Sequence, residues 1–524
     1  MGRLSSVSEQ GAVKPLCPGG HGINSSSKSR LYLSNKPLQL HGMMKSCATT
    51  SPSYYDNNLE TAETPTIIDW DGQDDPGKPT NWTGLKKWTN VLLISLLTLI
   101  SPFGSSMFAP STSEAMSEFH SNNIDLESFS VSIFVLGYAF GPLIHGPLSE
   151  LYGRLILYHV NSILFILANV ASALSVNLPM LIVFRLVAGL VGSCPLAIGP
   201  ASVSDMFVQE ERGKALAVWN LPVLLGPAIG PLVGSYLSAA TGWRWNFWFL
   251  AIAMGGIFAA ALLVLRETHA PTILEHKVRK MRKTRRRSEI ISAFASEKSP
   301  KDTFLDAITW PTKLLVLSPI VLTLSICAAV NYGFIYIIFT TMTSAFMRKY
   351  DMDREDVGLT YFGFGIGNIV GNVALGALSD KLAKGMAKGG KMKPEYRLPP
   401  LLPGSLLVPI GLFLYGWTLE YGTHFMVPLV GTFLIGVGTI LIFMSINSYL
   451  VDAFTKHAAS AVAASTVLRS LGGGLLPLCG GKLYEAVGDG WGNSILGFVG
   501  VIFVPVMWAL YIYGERLRLG SRLQ

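Results

Sequence analysis

Arg185 lies inside the otherwise apolar stretch Phe184-Arg185-Leu186-Val187-Ala188-Gly189. A guanidinium there is costly and is expected to face a cavity or a partner. Because it stays protonated, the chemistry open to it is electrostatic: it can shift the proton affinity of a nearby acid, or serve as a structural pairing group. His145, one residue before Gly146, carries the side chain whose charge changes near neutral pH. Asp205 and Asp452 can also exchange a proton, although both stand near expected helix ends, where solvated structural roles compete. Glu114 follows the first apolar run, which itself holds no carboxylate between Val91 and Pro110.

The elements that must position these groups are membrane helices. Of 524 residues, 50% are hydrophobic and 14% charged, where a soluble chain carries about 25% charge; mean hydropathy is +0.42. Twelve apolar runs are each long enough to cross a bilayer. They cover about 91–112, 130–149, 157–177, 180–203, 215–240 and 246–266, then 314–343, 357–379, 399–419, 424–450, 458–480 and 493–513. The chain opens without the short apolar core of a cleaved signal peptide, so the first helix is expected to target it. The five cysteines are scattered, with no metal spacing and no disulfide framework. No nucleotide loop or catalytic triad spacing appears either, so an enzyme is not expected, nor is a cofactor.

Lys and Arg fix the expected orientation. Loops on the N-terminal side hold Arg154, Arg212, Lys214, the 267–313 segment, Lys381, Lys384, Lys388, Lys391, Lys393, Arg397 and Lys456. The opposite loops hold little beyond Arg244, Arg348, Lys349, Arg354 and Lys482. Both termini are therefore expected in the cytoplasm. The organisation reads as a disordered tail (1–85), a first six-helix bundle (86–268), a basic linker (269–312), a second bundle (313–514) and a short tail (515–524). Eight of the eleven residues from Lys277 to Arg287 are basic; a charged linker explains them, with recruitment of anionic lipid as the alternative. Nucleic acid is not an expected partner of a chain embedded in a bilayer.

The two bundles repeat one another. Gly146-Pro147-Leu148-Ser149-Glu150 and Arg154 match Gly376-Ala377-Leu378-Ser379-Asp380 and Lys384 at an offset of 230 residues. Asp205, Gly226, Gly234 and Asn246 match Asp452, Gly473, Gly481 and Asn493 at an offset of 247. The fifth run contains Gly226-Pro227-Ala228-Ile229-Gly230-Pro231-Leu232-Val233-Gly234. Its three glycines line one helix face, where a neighbour can approach closely, and its prolines remove backbone donors.

Two duplicated six-helix halves joined by a charged loop resemble the major facilitator transporters, whose substrate sites lie between the halves. Gly146 through Gly153-Arg154 resembles that family's signature between helices two and three. There the glycines permit a tight turn, and the acid and base latch one conformation. Glu150 stands where the family has Asp, and Leu151 and Leu155 where it has basic residues, so the latch is expected to rest on Glu150 and Arg154, with Asp380 in the second copy. Arg185 falls in a motif that resembles one associated with proton transfer. The Gly226–Gly234 segment resembles the fifth-helix motif of drug/proton antiporters. Asp69-Trp70-Asp71-Gly72-Gln73-Asp74-Asp75-Pro76, Asn81-Trp82, Pro102 to Pro110, and Asp205-Met206-Phe207 with Glu211-Arg212-Gly213 are similar to fungal twelve-span drug:proton antiporters.

The resemblance implies an all-α fold of twelve helices in two pseudo-symmetric bundles, and a monomer that exports a small organic substrate in exchange for protons, without a cofactor. A plasma-membrane location is expected, with the vacuolar membrane as the alternative. Arg185, His145, Asp205 and Asp452 are the coupling candidates. Substrate contacts are expected from Trp219, Asn220, Asn331, Tyr332, Phe334, Tyr336, Tyr361, Phe364, Asn447 and Tyr449, each of which plain packing also explains. This inventory suits amphipathic or neutral hydrophobic cargo. An uptake symporter on the same fold and a membrane scaffold that transports nothing are the competing readings.

Overall fold

A computed structural model describes residues 66–285, 290–292, 299–387 and 393–519. The first half comprises α1 (Gly84–Ser106), α2 (Thr112–Glu118), α3 (Ile124–Tyr152), α4 (Arg154–Ala173), α5 (Leu178–Gly192), α6 (Cys194–Met206), α7 (Gln209–Thr241) and α8 (Arg244–Val264). Two linker helices follow, α9 (Ala270–Arg285) and α10 (Pro300–Leu317). The second half comprises α11 (Pro319–Tyr350), α12 (Arg354–Val357), α13 (Phe362–Ala387), α14 (Leu401–Glu420), α15 (Met426–Ala453), α16 (Ala458–Leu475) and α17 (Pro477–Leu519).

These helices make eleven continuous stretches long and apolar enough to span a bilayer. The last, Ala458–Arg518, has 61 residues, about 90 Å of helix against a hydrocarbon core of about 30 Å. It cannot be one crossing. Gly488, at φ 79° and ψ 170°, breaks it with a conformation that only glycine adopts freely, and so separates the eleventh and twelfth spans. Large apolar side chains such as Leu167, Leu263 and Ile502 stay exposed on the outside of the protein, as a surface bathed in hydrocarbon requires. The chain is a multi-pass membrane protein with a large core in each bundle and, in the first, a smaller cluster around Phe108, Trp243 and Phe247.

Two boundaries differ from expectation. Residues 314–317 end α10 rather than start the seventh span, because Ser318 is extended ahead of Pro319, as the residue before a proline tends to be. Residues 66–85, expected to be disordered, carry structure. Strand β1 (Thr66–Ile68) pairs in parallel with β2 (Ile290–Ser292). Asp75 accepts from the backbone N–H of Asp71 and Gly77 at 2.9 and 2.7 Å, and Lys277 of α9 reaches Asp71 at 2.7 Å and Asp75 at 3.7 Å. Those donors hold the Asp75 carboxyl below the usual carboxylate range. The acidic run is thus ordered by the basic linker it faces.

Candidate functional site

At the end of the bundles that carries α9, Gly153 adopts φ 91° and ends α3. This turn frees the first N–H groups of α4, and Glu267 caps them: its two carboxylate oxygens accept from Arg154 N and Leu155 N, each at 3.0 Å. A carboxylate at a helix N-terminus satisfies orphan donors and complements the dipole. The Arg154 side chain meets Asp205 at 3.3 Å and Ser149 Oγ at short range; Thr268 Oγ1 also donates to Asp205, at 3.4 Å. The Arg154 guanidinium therefore pairs with Asp205 rather than with the expected Glu150. Glu150 is exposed, while Glu267, far away in sequence, supplies the carboxylate that caps α4. At the matching position in the second bundle, Arg397 Nε binds Asp452 at 3.0 Å. Gly146 and Gly376 have open space where a Cβ would be, and the Asp380 side chain lies outside the described residues.

Arg185 does not meet an acid. It is 1% exposed, and its guanidinium donates to the carbonyls of Ser130 (2.5 Å), Val131 (3.3 Å) and Gly104 (3.4 Å). The same group lies over the rings of Phe108, Phe134 and Phe247, 4.8 to 5.6 Å away. Its charge is thus neutralised by backbone dipoles of α1 and α3 and by three quadrupoles. His145 is buried, and its Nε2 donates to the Leu190 carbonyl at 3.0 Å, which joins α3 to α5.

The glycine face of α7 packs on α1. A Cβ at Gly226 would strike Pro102, at Gly230 it would strike Ser106 Oγ, and at Gly234 the Met107 carbonyl. Pro227 and Pro231 are accommodated in an unbroken helix. The opposite side of α7 faces the other bundle, where Ala228 leaves room only for Gly365 and Ser235 only for Gly358. In the second bundle a Cβ at Gly473 would strike the Tyr332 ring, whereas Gly474 and Gly481 abut Leu136 and Ile124 of the first.

Four polar contacts join the bundles at or beyond midspan, away from α9. Tyr336 OH donates to Ser105 Oγ (3.2 Å), Ser132 Oγ to the Gly474 carbonyl (2.9 Å) and Ser235 Oγ to the Glu355 carbonyl (3.2 Å), while Lys482 pairs with Asp125 (2.5 Å). Toward the α9 end, a cavity of about 300 Å³ is lined by Arg397, Asn447, Ser448, Val451 and Asp452. Asn447 also lines an inner cavity of about 10 Å³, room for about one water, with Ala328, Phe443, Ser465, Thr466 and Arg469. Tyr332 borders this inner site through its ring, which packs at 5.6 Å from Phe443 and lies 5.0 Å from the Arg469 guanidinium.

The expected substrate residues therefore divide. Tyr332 and Asn447 reach the passage, Tyr336 touches both bundles, and Asn331 is buried with neither amide atom partnered among the described residues. Asn220 is partly exposed on α7. The other aromatics pack: Trp219 donates to Thr98 Oγ1 at 3.1 Å, Tyr361 to the Phe339 carbonyl at 2.9 Å, Phe364 meets Phe339 at 5.2 Å, and Phe334 and Tyr449 are core residues. Their apolar surface belongs to helix–helix seams. Arg469, an arginine inside the run 458–480, carries the same sequence signal as Arg185. Glu267 left no such signal.

Comparison with known proteins adds a family and relatives. The family described as Major Facilitator Superfamily matches residues 94–477. The chain is 49% identical over 466 residues to the MFS-type transporter penM of Penicillium rubens, covering 89% of this chain and 92% of that protein. It is 48% identical over 468 residues to the efflux pump radE of Floropilus chiversii, covering 89% and 87%. Among solved structures, the partially occluded inward open xylose transporter XylE of E. coli aligns with a TM-score of 0.60 at 16% identity, over 81% of this chain and 98% of that one. A bacterial homologue of the human lysosomal transporter Spinster aligns with a TM-score of 0.58 at 13% identity, over 84% and 100%. Likeness at such identities concerns the fold alone.

Proposed function

Because the chain belongs to the major facilitator superfamily, we propose that it is a transporter which exports a small amphipathic organic compound, such as a drug, toxin or secondary metabolite, in exchange for protons by alternating access. The observation that carries this reading is the asymmetry of the passage. Polar contacts join the bundles at and beyond midspan, while Asn447 links the inner cavity to the opening at the α9 end. The density of Lys and Arg marks that end as cytoplasmic, so the passage receives cargo from inside the cell, across the plasma membrane or, alternatively, the vacuolar membrane. Efflux also suits the similarity to radE, an efflux pump.

Asp205 and Asp452 are the coupling groups we retain. Each is held by an arginine at the basic end, and protonation of either carboxylate cancels that attraction. Arg185 and His145 act as positioning residues for α1, α3 and α5. No cofactor takes part, and the proton gradient is the energy source.

Overexpression in the host against a panel of toxic compounds identifies the cargo by raised resistance and lowered accumulation. The purified full chain in proteoliposomes then settles direction. Under an imposed proton gradient, the compound moves against the proton flow; accumulation along with protons would establish uptake symport instead, and no movement would leave a scaffold.

A further inference from the structure

Arg469 stands in the eleventh span, within the apolar run of α16. Its guanidinium lies 5.0 Å from the Tyr332 ring and 5.3 Å from the Phe443 ring, and its buried Nε has no partner. Among the described residues it makes no hydrogen bond and no ion pair. Arg185, by contrast, donates to three backbone carbonyls. A membrane-embedded cation without a protein partner is expensive unless something that enters the cavity completes it.

The surroundings define what that is. The rings of Tyr332 and Phe443 lie against the guanidinium and its Nε is buried, which leaves the two terminal nitrogens, a pair that matches a carboxylate in bidentate geometry. Asn447, Ser465 and Thr466 line the same cavity and supply neutral hydrogen-bonding groups. No carboxylate lines it, so a cationic ligand would find repulsion and no counter-ion. Asn447 opens the site toward the basic end, where Arg397 also lines the larger cavity.

We propose that Arg469 binds a carboxylate carried by the exported compound, so that the transporter selects the organic acid form of its cargo over neutral analogues. This inference rests on the export reading above and narrows the amphipathic or neutral cargo expected from sequence. The rings of Tyr332 and Phe443 hold the guanidinium in place and offer apolar surface to the body of the acid.

The test uses the full chain in lipid nanodiscs and a panel of aryl carboxylic acids, each paired with its own primary amide. Ligand-induced thermal stabilisation reports binding, and proteoliposome flux reports transport. Several acids stabilise the wild type at concentrations at least tenfold below their amides. Arg469→Gln brings that ratio close to one, and Arg469→Lys keeps part of it, because the charge survives without the fork. Equal potency of acids and amides across the panel overturns the proposal, as does an acid preference that survives Arg469→Gln. Displacement of the acids by chloride or phosphate alone, at similar concentrations, would identify an inorganic-anion site and equally overturn it. Arg469-dependent binding without flux would sink the export reading and leave the site standing; flux of acids and amides alike, indifferent to Arg469, would do the reverse.

Discussion

The two bundles treat an arginine inside an apolar run in opposite ways. The first surrounds Arg185 with three carbonyls and three aromatic rings from its own helices. The second places Arg469 against two rings and, among the described residues, leaves its buried Nε and the Asn331 amide of the neighbouring α11 without a partner. A buried polar group without a partner costs roughly 1 to 3 kcal/mol, and a fold accepts that cost where water or a ligand completes the group. The difference assigns labour: the first bundle's charge is structural, and the second bundle's charge is for recognition.

The largest effect should come from removing the structural charge. Arg185→Ala withdraws the donor shared by α1 and α3 and leaves three buried carbonyls without it, a loss of roughly 3 kcal/mol or more. The variant is expected to fail to accumulate as a monodisperse species in detergent, measured by fluorescence-detected size exclusion and melting temperature. Arg469→Gln should keep the wild-type elution profile and melting temperature without ligand. A stable Arg185→Ala beside a collapsed Arg469→Gln would invert the assignment.

A second, smaller break targets the seam behind Arg185, where α1 lies on the glycine face of α7. Gly234→Leu drives a side chain into the Met107 carbonyl, which cannot rotate away. Gly230→Leu meets the Ser106 hydroxyl first, which can. Overpacking costs about 1 to 3 kcal/mol, so Gly234→Leu should abolish export while still inserting, and Gly230→Leu should impair it less. Unchanged transport by both variants would remove the glycine face from the mechanism.

Sequence made the fold legible because a bilayer imposes length and apolarity on every crossing: the runs gave the spans, and the offsets of 230 and 247 residues gave the duplication. It made the glycine face legible for a related reason, since missing side chains at a spacing of four have one steric meaning. Partners were not legible. Nothing in Arg185 or Arg469 says that one meets carbonyls and the other a cavity, because that depends on how α3 and α11 pack against them. Glu267 is the clearest case: a carboxylate after the sixth span reaches the start of α4 only through the tertiary fold, whereas sequence proximity points to Glu150, close to Arg154. Aromatics misled for the opposite reason, since Tyr361 and Phe364 serve helix seams as well as they would serve a ligand.

The smallest expected effect concerns how self-contained the first bundle is at its basic end. His269 follows the Glu267 cap, donates its backbone N–H to that carboxylate at 2.8 Å and meets Thr272 Oγ1 through ring Nδ1 at 2.9 Å. Burial first, and the nearby Arg154 charge second, lower its pKa to about 4 from about 6.5 for a free imidazole. The folded state therefore holds a neutral ring that the unfolded state protonates below about pH 6.5. Stability from this site is complete above that pH, declines as pH falls toward 4, and loses nothing further below it. The partly exposed ring limits the decline to about 1 to 2 kcal/mol. Melting temperature followed from pH 7.5 to 4 should drop less in His269→Gln than in the wild type, while Arg469→Gln should leave the slope unchanged. An identical slope in His269→Gln would mean that the Glu267 network does not feel this ring, and that the closure of the first bundle ends at Arg154.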